Sequence, residues 1–146
     1  MPANGDDHAG IMELYGRYPQ LIDADDEDAL ADCFTEDGVF LISGQGRFEG
    51  AEEIKGLVAK TAAGRPRHLT LNIWIREVDG DEAQVRAYFM LVDLETGENV
   101  AYGHYSDKPV RGEDGVWRWR ERRVQFEWTS ESYATAGRAK AVPLPD

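Results

Sequence analysis

His68 and Asp23 are the side chains whose types and surroundings best suit proton transfer. An imidazole gains and loses a proton near neutral pH, so a histidine facing a pocket is a ready general base. A carboxylate beside it would hold the ring in one tautomer and stabilise its protonated form. His68 lies in the stretch Arg67-His68-Leu69-Thr70-Leu71-Asn72-Ile73-Trp74-Ile75-Arg76, which alternates with period two. Leu69, Leu71, Ile73 and Ile75 point one way, and His68, Thr70, Asn72 and Trp74 the other. The second set is polar without being charged and ends in an aromatic ring. That pattern suits a strand with one face in a core or interface and the other lining a pocket. A satisfied structural histidine is the alternative. Asp23 closes an apolar helical run near the faces of Tyr15 and Pro19, where its carboxylate could enter the same cavity. Within the acidic run Asp23 to Asp28, a solvated or capping role competes. Tyr15 and Tyr18 are either phenol donors or plain core aromatics. His104 shares a face with Tyr102 and either lines the cavity or serves a surface or interface role.

Other chemistries find little support. The three histidines, at 8, 68 and 104, have no metal-ligand spacing. Cys33 is the only cysteine, which excludes an internal disulfide or a Cys-based metal site. Gly44-Gln45-Gly46 lacks the Gly-Lys-Ser/Thr ending of a phosphate loop and reads as a hairpin turn. No serine stands in a nucleophile-elbow context. What remains is an Asp/His acid–base kit. It suits proton abstraction beside an activated position, elimination or isomerisation, with no cofactor.

A chain of 146 residues is expected to form one domain around a single sizeable core. The net charge of −12 argues against nucleic acid or an anionic membrane surface as partner, because both need basic patches. No apolar run approaches the roughly 20 residues of a membrane span. The acidic start Met1 to Asp7 lacks a hydrophobic segment, so a cytoplasmic location is expected. Arg118, Arg120, Arg122 and Arg123 crowd one strand, as partners for buried acids, an anionic ligand or surface carboxylates.

The elements that must position these groups follow from periodicity. Residues 1–7 read as a disordered leader. Ile11, Leu14, Tyr15, Tyr18, Leu21 and Ile22 recur at helical spacing over 8–24, with Asp6 or Asp7 as cap and a kink at Pro19. A short second helix, capped by Asp25 or Asp26, carries Ala29, Leu30, Cys33 and Phe34. A strand covers 38–42, and a third helix runs from 51 to about 63 and stops at Gly64. Four longer strands follow at 67–78, 82–94, 100–111 and 116–128, joined by tight turns. Helices first and an antiparallel meander after give an α+β fold, a curved sheet over helices with a cavity between them. Residues 131–146 read as a tail, partly mobile or docked on a neighbouring subunit. The strand at 82–94 is apolar or aromatic on both faces, and one helical layer covers only one of them. The other face suggests an oligomer contact.

The assembled pattern resembles a known family. Its marks are Ile11-x-x-Leu14-Tyr15-x-x-Tyr18 with Asp23, His68-x-x-x-Asn72, Gly103-x-Tyr105-x-Asp107, and Asp114-Gly115-Val116-Trp117-Arg118-Trp119-x-x-Arg122-Arg123-Val124. In order and spacing, over residues 8–130, these resemble the SnoaL-like branch of the nuclear-transport-factor-2-like superfamily. The branch includes scytalone dehydratase, the bile-acid 7α-dehydratase and the hexachlorocyclohexane dehydrochlorinase. The resemblance implies a cone-like, cystatin-like fold: a curved antiparallel sheet on three N-terminal helices with an internal pocket. It implies Asp23 and His68 as the catalytic pair, and Tyr18, Asn72 and Arg122 as pocket residues, with Arg122 in competition with Arg123. Trp74 and His104 join them as candidate substrate contacts. It further implies a lyase or isomerase of the dehydratase kind, free of cofactor, acting on a small cyclic or polyketide-like molecule as a homodimer or homotrimer. The family also contains polyketide cyclases, epoxide hydrolases and members without known activity, so a non-catalytic ligand-binding or assembly domain stays open.

Overall fold

A helix must satisfy its first N–H groups, and here Asn4 supplies the acceptor. Its Oδ1 accepts from the backbone N–H of Asp6 at 3.0 Å and of Asp7 at 2.9 Å. The computed structural model describes residues 1, 3–61, 66–135 and 142–145, and in it helix α1 spans Gly5–Asp23. The helix therefore starts inside the stretch expected as a disordered leader, and its cap is Asn4 rather than Asp6 or Asp7. Asp7 is buried and accepts from Arg111 Nη1 at 2.6 Å, which ties the first turn to the sheet. α1 runs on through Pro19. Helix α2 (Glu27–Ala31) is capped by Asp26, whose carboxylate accepts from the Ala29 N–H at 3.0 Å.

Strand β1 (Phe34–Ile42) turns back into β2 (Gly46–Glu49), and helix α3 (Gly50–Thr61) follows. The expected stop of that helix at Gly64 lies outside the described residues. β3 (Arg67–Asp79), β4 (Glu82–Val92), β5 (Asn99–Arg111) and β6 (Trp117–Thr129) form the meander, and a short helix α4 (Glu131–Thr135) ends it. The six strands make one curved, unclosed sheet in the order β2-β1-β6-β5-β4-β3. Neighbours are antiparallel except β1 and β6, which are parallel. The sheet is thus mixed where a wholly antiparallel one was expected. Period-two patterning locates strands but does not say which strand each will meet.

The helices cover one face. Ile11, Leu14, Tyr15, Tyr18 and Ile22 from α1, Leu30 from α2 and Ile54 from α3 bury against Phe40, Phe89, Tyr105, Trp119 and Phe126. Each such side chain contributes about 1.5–3 kcal/mol when fully buried. Gly103 sits on this face because the Phe89 ring occupies the space. A Cβ there would lie 2.8 Å from Phe89 Cζ and 1.9 Å from the Gln125 carbonyl oxygen.

Two bulges in β3 decide which of its side chains face inward. His68 pairs with Leu91 and Thr70 with Phe89, but Trp74 pairs with Arg86, one residue out of step. The extra residue falls at Asn72–Ile73, and Asn72 has φ +51°. One inserted residue reverses the facing of everything after it. His68 and Thr70 point in, then Ile73 and Ile75 do. A second shift after Ile75 turns Val78 in. The single alternating face expected from the sequence is therefore split, and Leu69 and Leu71 stand on the outer face, 40% and 38% exposed. Of the expected tail, residues 142–145 dock on β6 of their own chain. Gln125 donates to the Val142 carbonyl at 2.9 Å and accepts from the Leu144 N–H at 2.9 Å, and Arg123 donates to the Pro145 carbonyl.

Candidate active site

Asp23 is the last residue of α1. The chain turns away there because Asp25 adopts φ +58°, with the Ala24 N–H still bonded to the Gln20 carbonyl at 3.0 Å. α1 packs along β3, so its final carboxylate meets the strand's first residues. Asp23 Oδ1 lies 2.7 Å from His68 Nδ1, and the carboxylate also accepts the His68 backbone N–H at 3.2–3.3 Å. Arg67 Nε stands 3.4 Å from Oδ2. Both partners of the pair are nearly covered, at 12% and 13% side-chain exposure, so solvent screens their attraction weakly. An ionised Asp23 places the ring proton on Nδ1 and leaves the lone pair on Nε2, the arrangement of a base.

The pair borders a cavity of about 550 Å³ between α1 and β3, at the edge of the sheet. Met12, Gly16 and Pro19 line it from the helix, and Thr70 and Ile73 from the strand. Tyr18 is buried behind His68, with its ring edge-on to the imidazole at 6.5 Å between centroids. Burial pushes the Tyr18 phenol above its ordinary range, with the nearby Tyr105 adding to it, so it stays protonated and is a donor rather than a base.

Arg122 lies deeper still and is fully buried. Its guanidinium carbon sits 3.6 Å from the Tyr105 ring centroid, 4.0 Å from Trp119 and 4.1 Å from Tyr18. Nη1 donates to Asp107 Oδ2 at 3.0 Å. Asp107 also accepts from the Tyr15 hydroxyl at 2.5 Å and the Arg123 backbone N–H at 3.2 Å. Burial pushes the Asp107 carboxyl up to about 6, and Arg122 and the Tyr15 hydrogen bond pull the other way. Burial works against the Arg122 charge, but Asp107 and the phenols outweigh it and hold its pKa above the usual range. Of the two candidate arginines, Arg122 points into the core and Arg123 to the outer face, and neither is among the residues lining the cavity. A bulge at Arg120 sets this phase, since Asp107 pairs with Arg122 but Pro109 with Trp119.

Three expected contacts lie elsewhere. Asn72 is exposed at the bulge, and Trp74 is 61% exposed on the outer face beside Arg86. His104 also faces outward, with Nδ1 2.5 Å from Glu127 Oε1. The bulge moved the first two; His104 follows the strict alternation of β5, in which Ala101, Gly103, Tyr105 and Asp107 take the inner face. That alternation also held the signal for Asp107. An acid on an otherwise apolar strand face must find a buried cation, and the neighbouring strand is rich in arginine.

A family model for the SnoaL-like domain matches residues 5–123. The chain belongs to the SnoaL-like family. No curated protein matches it. Among solved structures it is similar to a variant of Rv3472, a function-unknown protein from Mycobacterium tuberculosis, at 30% identity and TM-score 0.72, over 81% of this chain and 74% of that one. It is similar to a protein of unknown function with a cystatin-like fold from Nostoc punctiforme, at 24% identity and TM-score 0.81, over 90% and 99% of the two chains. A hexachlorocyclohexane dehydrochlorinase, LinA type 2, shares 19% identity at TM-score 0.71, over 84% and 86%. The last two likenesses carry the fold alone. The SnoaL-like fold of this chain therefore has enzymes among its structural neighbours.

Proposed function

We propose that the chain is a cofactor-independent lyase or isomerase of the dehydratase kind, acting on a small cyclic or polyketide-like molecule. The observation that carries this reading is the 2.7 Å contact between Asp23 and His68 at the wall of a cavity. His68 Nε2 takes a proton from an acidic C–H of the substrate. The C–H electron pair becomes the new π bond, and the leaving group departs from the neighbouring carbon with its own pair. Asp23 keeps the imidazole in its Nδ1–H tautomer and stabilises the imidazolium that forms. Tyr18, kept protonated by burial, packs edge-on against the His68 ring, and Arg122 biases it with positive charge from behind. A merely ligand-binding domain has no need of a carboxylate held on the back of a pocket histidine.

The test is turnover on a panel of cyclic ketones, alcohols and halides, read by the absorbance of the new or shifted double bond and, for the halides, also by halide release. His68→Ala is expected to lower the rate by roughly a hundredfold or more. Full activity in His68→Ala on a substrate that the wild type turns over sinks the mechanism.

A further inference from the structure

The outer face of the sheet changes chemistry along its strands. At one end, Leu69, Met90, Tyr102 and Trp128 are successive cross-strand neighbours. Toward the other end the corresponding row is Trp74, Arg86, Ser106 and Arg123. There Arg76, Arg86, Ser106, Lys108 and Arg123 line a depression of about 330 Å³. Four cations meet in a chain that has 28 acidic against 16 basic residues. Glu121 offsets part of this charge, 3.4 Å from Lys108 and 3.9 Å from Arg123. Asp107 lines the floor, but its carboxylate is turned inward to Arg122 and Tyr15.

Arg76 and Arg86 have no carboxylate within 4.0 Å among the described residues, whereas Arg118, Arg120 and Arg122 each have one and Arg111 has two. Arg76 instead stands over the Trp74 ring at 5.4 Å. A second depression, of about 450 Å³, shares Arg76 and Arg86 with the first and is walled by Trp74 and Tyr88. Those rings are 61% and 56% exposed, a shelf open to a flat molecule.

We propose that this outer face binds a small oxyanion, a phosphate, sulfate or carboxylate group, carried on a flat apolar molecule. Arg76 and Arg86 offer guanidinium forks that match such oxygens in pairs, Lys108 and the Ser106 hydroxyl add donors, and Arg123, one of whose Nη groups is held by the Pro145 carbonyl, adds positive charge. Trp74 and Tyr88 take the flat body. A polyanion is disfavoured, because the net charge of −12 repels nucleic acid or an anionic membrane over its whole surface. A small ion meets only the local field, since charges more than about 8 Å away are screened at physiological salt. The site lies across the sheet from His68 and does not depend on the proposed reaction.

Phenyl phosphate, inorganic phosphate and phenol are the probes, titrated into the isotope-labelled full chain and followed by amide and arginine side-chain NMR. Phenyl phosphate should give saturable shifts at Arg86, Ser106 and Tyr88 and bind at least about tenfold tighter than phosphate or phenol alone. Arg86→Gln, at an exposed residue without an ion pair among the described residues, should weaken it by about tenfold, one charge-assisted contact. Arg76→Gln should do the same, as a second variant with the same fold. Shifts that do not saturate, or that persist unchanged in both variants, overturn the proposal. So do shifts at Arg86 that follow protein concentration rather than phenyl phosphate, which would give the row to contact with a second copy.

Discussion

Two carboxylates, Asp23 and Asp107, each hold a cationic or potentially cationic partner, and their surroundings give them different duties. Asp23 is slightly open to the cavity and touches a group that can gain and lose a proton. Removing its charge should therefore be read at the imidazole. In Asp23→Asn the His68 titration, followed by NMR, is expected to move down, because the neutral amide no longer stabilises the protonated ring. An unchanged titration would make Asp23 a part of the acidic turn only. Asp107 is sealed against Arg122. Its pKa rises from 3.8 to about 6, so the native state holds that proton more tightly than the unfolded chain. Its contribution to stability is complete below 3.8 and is lost as the pH climbs toward 6, at up to about 1.4 kcal/mol per pH unit. A carbon-detected titration should place its midpoint near 6, and urea unfolding should show the matching decline. Arg122→Met leaves Asp107 buried without its counter-charge and should cost about 3–5 kcal/mol, measured by the same unfolding.

At the scale of elements, β3 is the part that sorts functional from outward residues. Its bulge at Asn72 lets His68 and Thr70 face α1 while the later Ile73 and Ile75 still reach the core. The φ of +51° is one that Asn or Gly accepts and a β-branched residue resists. Asn72→Gly should leave stability nearly unchanged, and Asn72→Val should cost about 1–2 kcal/mol. If Asn72→Val unfolds at the same urea concentration as the wild type, the bulge is not held by this backbone conformation. The alternation of Leu69 to Ile75 was legible in the sequence, but the inserted residue was not. Bulges have no period, and Asn in a strand reads equally well as a polar side chain on a pocket face.

For the whole molecule, helices cover one face of the sheet and leave the row of Leu69, Met90, Tyr102 and Trp128 outside. Tyr102 and Trp128 stack at 5.6 Å, which makes a flat apolar surface. We propose that two or three copies associate through this row, because burying it removes apolar area from water. Light scattering should give two or three times the chain mass, and Trp128→Lys should shift the population toward monomer. A wild-type monomer at micromolar concentration would refute the proposal.

The sequence by itself determined the helix stripe of Ile11 to Ile22, the four meander strands within about two residues, and the candidacy of Asp23 and His68. All of these rest on local periods and side-chain chemistry, which need only neighbours along the chain. The tertiary structure alone decided that Asp23 and His68, 45 residues apart, meet at 2.7 Å. It alone turned Arg122 inward, sent Asn72, Trp74 and His104 to the other side, and set β1 parallel to β6. Each of those outcomes depends on strand register and on single-residue bulges. Register is fixed by contacts between distant segments, and a shift of one residue reverses the facing of every side chain beyond it.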